Sequence, residues 1–136
     1  MTVEEFFRRN AADFQTRDIG ACADTLAIPA TIHVGKRQMH IGTRAQLLDM
    51  LTTYRCNLDV ESYKRTELEL HHVMNERDDR WQAFLTWRHI NDQGGEISVV
   101  DAAYILRETE AGRLQCITAE IISLSKSRFL TGLPVV

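Results

Sequence analysis

The second half of the chain constrains the fold most. From Tyr63 onward the pattern changes to four long strands, Tyr63–Glu76, Trp81–Asn91, Glu96–Arg107 and Leu114–Leu124, the first with a plain polar–apolar alternation at Glu67-Leu68-Glu69-Leu70. A period of two marks a strand with one buried face. The breaks at Arg77-Asp78-Asp79-Arg80, Asp92-Gln93-Gly94-Gly95 and Glu108–Arg113 are short and polar. Such breaks join neighbouring strands as antiparallel hairpins. Strands of this length are uncommon and suit a strongly bent sheet wrapped over helices.

The first half supplies those helices. Thr2 followed by Glu5 is a capping box that starts a helix at Val3. Val3, Phe6, Phe7, Ala11 and Phe14 then recur at helical spacing. Asp18 caps a second, short helix with Ile19, Cys22 and Leu26 on one face. Thr31 to Ile41 reads as a hairpin turning on Gly35-Lys36, with Ile32, Val34, Met39 and Ile41 sharing a face. Thr43 with Gln46 is a second capping box, and Leu47, Leu48, Leu51 and Tyr54 stripe the helix it starts. The expected class is α+β, with N-terminal helices packed in a curved antiparallel sheet around an interior pocket. Residues 1–124 form one domain of ordinary size. Residues 125–136 are expected to be an irregular tail on the outside or on a partner subunit.

Charge and cysteine usage narrow the function classes. The net charge of -3 and the absence of a Lys/Arg cluster argue against nucleic acid and anionic membranes as partners. The acidic Met1-Thr2-Val3-Glu4-Glu5 start and the lack of a long apolar run favour a cytoplasmic protein without a membrane span. Cys22, Cys56 and Cys116 are odd in number and not at zinc spacing, so they are expected as reduced thiols. There is no phosphate loop, nucleophile elbow or His-Glu-x-x-His, and no spacing calls for a metal or a cofactor.

The organisation resembles the NTF2-like superfamily, which includes SnoaL-like and ketosteroid-isomerase-like proteins and whose fold is also called cystatin-like. The resemblance runs through Phe6–Leu51: an aromatic-rich first helix, the Asp18–Leu26 helix, the Pro29–Gly42 hairpin, and Gly42-Thr43 launching an apolar helix. Ala103-Tyr104-Ile105-Leu106-Arg107 leading to Gly112-Arg113-Leu114 resembles the passage into the last strand of that superfamily. The resemblance implies a cone-shaped domain, a cavity and homodimerisation, here through the outer sheet face. It implies no single activity, because members include enzymes, accessory subunits and transport factors. The first helix carries Phe6, Phe7 and Phe14 but no Tyr, so an isomerase-type oxyanion role does not carry over.

Strand register assigns side chains to the pocket. A turn centred on Asp78-Asp79 sets Leu68 opposite His89, Leu70 opposite Trp87, His72 opposite Leu85 and Met74 opposite Ala83. This mostly apolar face is expected to be the inner one. Glu69 then faces Arg88 on the outside as a cross-strand ion pair. His72 and His89 are the candidate bases or ligand partners on that inner face, because His titrates near neutral pH. The alternative for each is a neutral core His bonded to a neighbour.

Asp101 depends on the parity of the Gly94-Gly95 turn. An even turn puts Val100, Ala102 and Tyr104 inside and Asp101 outside near Arg88. An odd, bulged turn puts Asp101 inside, near His89, as a desolvated carboxylate suited to proton transfer. The candidate catalytic set is therefore His72, His89 and Asp101. The candidate pocket wall is Leu70, Leu85, Trp87, Tyr104, Tyr54 and Glu120. The expected ligand is a small apolar or aromatic metabolite. It is either turned over by cofactor-free acid/base chemistry (isomerisation, cyclisation or dehydration) or simply bound by an accessory domain.

Overall fold

The computed structural model describes residues 1–136. Its elements run α1 (Val3–Gln15), α2 (Ile19–Ala23), β1 (Ala30–Val34), β2 (Arg37–Ile41), α3 (Arg44–Asp59), β3 (Tyr63–Arg77), β4 (Arg80–Asn91), β5 (Glu96–Glu108) and β6 (Leu114–Leu124), followed by a 3-10 turn at Ser127–Leu130. Both capping boxes form: Thr2 with Glu5, and Thr43 with Gln46. Asp18 caps α2 by accepting from the Ala21 amide.

All six strands join one unclosed, curved sheet in the order β2-β1-β6-β5-β4-β3. Only β1 and β6 run parallel. The β1–β2 hairpin has the expected register, with Ile32 opposite Met39. Gly35 takes φ 60°, which a two-residue turn of this hand requires at its first central position. The helices lie on the concave side. Phe6 and Phe7 of α1 and Leu47 and Met50 of α3 form one core with Leu85, Leu106 and Ala119 of the sheet. At an average of about 25 cal/mol per Å² of apolar area removed from water, this shared burial is the main force curling the sheet onto the helices. A smaller core holds Phe14, Leu58, Tyr63, Ile97 and Phe129.

Bulges reset the register of the long hairpin. Arg77 faces Arg80 at the turn, but register shifts at Asn75/Arg77 and Leu70/His72 each slip β3 by one residue. Beyond the second shift, Leu68 faces Trp87, Leu70 faces Leu85 and Thr66 faces His89. Two slips restore the original parity, so Leu68, Leu70, Leu85, Trp87 and His89 are inner residues as expected, with partners moved by two. Between the slips the parity is inverted. His72 pairs with outward Phe84 and is exposed, whereas Val73 pairs with inward Ala83. The expectation of an inward His72 is thereby corrected. An extra residue in one strand of an antiparallel pair exchanges its faces downstream.

Asp101 lies outside for a related reason. The β4–β5 connection is odd, because Ile90 pairs with Glu96 across five residues, but a bulge between His89 and Ile90 offsets it. Trp87 therefore faces Val100, and Ala83 faces Tyr104. The even-parity arrangement results, with Thr86 opposite Asp101 on the outer face. Shifts at Asp101/Ala102 and Ile105/Leu106 reset β6 in the same way. Cys116 and Ala119 are buried, whereas Glu120 pairs with outward Ala103 and is exposed. Glu120 is therefore outside the interior cavity; with His72 it borders a depression on the outer sheet face.

The tail also departs from expectation. Phe129 is buried in the smaller core, at 1% exposure. Val136 and Gln38 exchange two backbone hydrogen bonds of 2.9 Å. Residues 125–136 pack on their own domain, between α3 and the β2 edge.

Candidate functional site

Between the helices and the concave sheet lies a cavity of about 220 Å³, lined by 26 residues of which 22 are hydrophobic. No Asp, Glu, Lys or Arg is among them. Phe7 supplies much of the aromatic wall, with its ring centroid 6.1 Å from that of Trp87 and 5.1 Å from that of Tyr104. Leu70 and Leu85 pack in the surrounding core and are not lining residues.

The polar groups are few: Asn10 Nδ2 donates to Thr25 Oγ1 at 3.0 Å as one pair, and Tyr54 and Thr66 gather around His89. His89 is 4% exposed. Its Nε2 lies 3.1 Å from the Tyr54 hydroxyl, and its Nδ1 lies 2.9 Å from Thr66 Oγ1. Thr66 is in turn hydrogen-bonded to the Tyr63 hydroxyl. A four-member chain, Tyr63–Thr66–His89–Tyr54, thus ends at the cavity. Burial, with the nearby Arg55 charge, pulls the His89 imidazole down to about 4, so it is neutral at pH 7. Burial also pushes the Tyr54 hydroxyl up, with smaller contributions from Tyr104 and Tyr63, so it stays a phenol.

Both tautomers of His89 satisfy the chain. With the proton on Nδ1, Nδ1–H donates to Thr66 and Nε2 accepts from the Tyr54 O–H. With the proton on Nε2, Thr66 donates to Nδ1 and Nε2–H donates to Tyr54 Oη, freeing the phenol O–H for another acceptor. A second hydroxyl is prepared nearby. Tyr104 Oη accepts from Trp87 Nε1 at 2.9 Å, which leaves its own O–H to donate.

Arg55 supports this end of the cavity from behind. It is 5% exposed and donates to the backbone carbonyls of Phe14 and Gln15, each at 3.1 Å. It is ion-paired with Asp59, which also meets Arg17 at 2.7 Å. The guanidinium carbon stands 4.0 Å from the Tyr63 ring centroid. A buried cation so placed disfavours a second positive charge on His89.

The expected site residues divide clearly. Tyr54, Trp87, His89 and Tyr104 line the cavity together. His72, Asp101 and Glu120 lie on the outer face. Asp101 accepts from Thr86 Oγ1 at 2.6 Å and Ser123 Oγ at 2.8 Å, and these bonds hold its carboxyl below the usual range. His71 Nε2 is 2.7 Å from the same Thr86 hydroxyl. Arg88 meets Glu69 and Glu96, so the expected Glu69–Arg88 pair forms diagonally. Sequence reasoning missed Thr66, Tyr63 and Arg55. Thr66 shares the inner face with Leu68 and Leu70 in either register, but only the two bulges set it opposite His89, and Arg55 sits one residue from Tyr54 on a face that the apolar stripe does not mark.

The family model described as NTF2-like protein (DUF6841) matches residues 2–120. No curated protein matches the sequence. Among solved structures, a ketosteroid isomerase-like protein from Erwinia carotovora atroseptica superposes with a TM-score of 0.63 at 16% identity, covering 89% of this chain and 94% of that one. A domain of unknown function with a cystatin-like fold from Nostoc punctiforme gives 0.67 at 16% identity, covering 94% and 83%. An NTF2-like protein with a cystatin-like fold from Novosphingobium aromaticivorans gives 0.64 at 16% identity, covering 85% and 75%. At these identities the likeness is one of fold.

Proposed function

Given that the chain belongs to the NTF2-like protein (DUF6841) family, we propose that its cavity binds one small, uncharged, largely apolar molecule. The molecule is about the size of a substituted aromatic ring and sets one hydroxyl or carbonyl oxygen against Tyr54. The observation that carries this reading is the pairing of an apolar, charge-free lining with an interlinked polar chain that reaches it at Tyr54 and His89, besides the smaller Trp87–Tyr104 and Asn10–Thr25 pairs. Binding pockets are commonly mostly apolar with a few placed polar groups that fix orientation. The size is apt as well. An apolar cavity of about 150 Å³ in another protein takes up benzene, and 220 Å³ leaves room for substituents. Calorimetric titration with 4-ethylphenol tests the reading. Binding that weakens roughly tenfold in Tyr54→Phe, the effect of about one lost hydrogen bond, supports it. No binding to the wild type removes it.

A second reading, cofactor-free acid/base chemistry, is favoured by the two-tautomer chain, which can pass a proton between Tyr63 and Tyr54. The Erwinia neighbour, described as ketosteroid isomerase-like, makes isomerisation the reaction to try. Conversion of 3-cyclohexenone to its conjugated isomer, followed by ultraviolet absorbance, would have to disappear in a folded His89→Gln variant. Two copies are further proposed to pair through the outer sheet face, where Met74, Phe84 and Ile122 are exposed. Sedimentation of wild type against Phe84→Glu decides that point.

A further inference from the structure

Residues 125–136 lie beyond the stretch that the family model matches, which ends at residue 120, yet they complete the cavity. Leu130 and Leu133 are lining residues. No ladder or long helix holds the segment. Its regular structure is the four-residue turn at Ser127–Leu130. Phe129 is its one deeply buried anchor, at 1% exposure, and Ser125 continues the pairing with Val99; its other fastenings are separate and mostly exposed. Arg128 grips Glu61 through two bonds of 2.6 Å. Asn57 Nδ2 donates to the Phe129 and Thr131 carbonyls at 2.9 and 2.8 Å. Arg37 donates to the Val135 carbonyl at 3.2 Å, beside the Val136–Gln38 pair. The sheet, α1 and α3, which form most of the rest of the wall, are held by continuous ladders and helix bonds, while Cys22, Thr25 and Leu26 come from α2 and the residues after it. Segments with few buried contacts and exposed hydrogen bonds open locally at low free energy, well before the core does.

We propose that residues 125–136 are a strap over the mouth of the cavity, opening to admit ligand, with Leu130 and Leu133 setting the length of ligand that fits. The gating half stands on the fastenings. The size-setting half rests on the cavity-binding reading above.

The cavity carries its own reporters. Cys22 and Cys116 line it and are each 5% exposed, whereas Cys56 is exposed at the surface. In the full chain carrying Cys56→Ser, the rate at which methyl methanethiosulfonate modifies Cys22 and Cys116 reports opening without needing a ligand. Asn57→Ala together with Arg128→Ala is expected to raise that rate about tenfold or more, with amide exchange at Leu85–Trp87 unchanged. An unchanged rate, or a rise matched by faster exchange at Leu85–Trp87, overturns the strap. For the size-setting half, Leu133→Ala and Leu130→Ala are titrated with phenol and 2-naphthol. At least a fivefold shift in preference toward 2-naphthol is expected, and an unchanged ratio overturns that half. If neither probe binds any variant, the cavity-binding reading and the size-setting half fall together, and the cysteine rates still decide the gate.

Discussion

Acid should weaken this fold through His89. In the unfolded chain an imidazole titrates near 6.5, and in the folded protein burial, with help from Arg55, brings His89 to about 4. Between those values the unfolded state holds a proton that the folded state does not. Stability therefore rises with pH across this window and is lost as pH falls through it. The difference of about 2.5 pH units corresponds to about 3 kcal/mol at 1.36 kcal/mol per unit, fully lost only below pH 4. Urea unfolding at intervals from pH 7.5 to 4, on wild type and His89→Gln, measures it. The carboxylates contribute equally to both proteins, so the difference between the two curves isolates His89. The wild-type advantage should shrink by roughly 3 kcal/mol from pH 7 to pH 4. Parallel curves over that range would refute the account of a desolvated, neutral His89.

Other expectations follow from the same geometry. Replacing Arg55 by Met removes the cation facing His89, so the His89 imidazole should titrate at higher pH in NMR, provided that Asp59 is changed to Asn alongside to avoid a stranded charge. Tyr54→Phe leaves the buried His89 Nε2 without its partner and should cost about 1–3 kcal/mol in urea unfolding. Leu85→Ala, at a site with 0% exposure, should cost about 2–5 kcal/mol by the same assay. Asp101→Asn, His72→Ala and Glu120→Gln all act on the outer face and should leave binding of 4-ethylphenol within twofold of wild type.

The order of elements, both capping boxes and the inner placement of Leu70, Leu85, Trp87 and His89 were legible in the sequence. Each follows from local chemistry or from period-two alternation. Bulges were not legible, because a bulge has no single-residue signature and its effect appears several residues away. One bulge turned His72 outward. Another offset an odd connection and put Asp101 outside. A third, in β6 between Cys116 and Thr118, sent Glu120 to the surface. The tail is irregular apart from its four-residue turn, as expected, but the burial of Phe129 and the lining by Leu130 and Leu133 were not legible, because three apolar residues are too few to show a period. The candidate site is left without the carboxylates Asp101 and Glu120. In their place stands a hydroxyl–imidazole chain whose Thr66–His89 pairing and inward Tyr63 come into view only with the corrected register.

The central claim is an uncharged ligand held in a charge-free cavity. Titrating 4-ethylphenol and 4-ethylbenzoate side by side at pH 7.5 tests it most directly. The two have similar size, but the carboxylate would enter a lining without a Lys or Arg to meet it, at a cost of several kcal/mol. The phenol should bind at least about a hundredfold more tightly. Equal or tighter binding of the benzoate would contradict the claim.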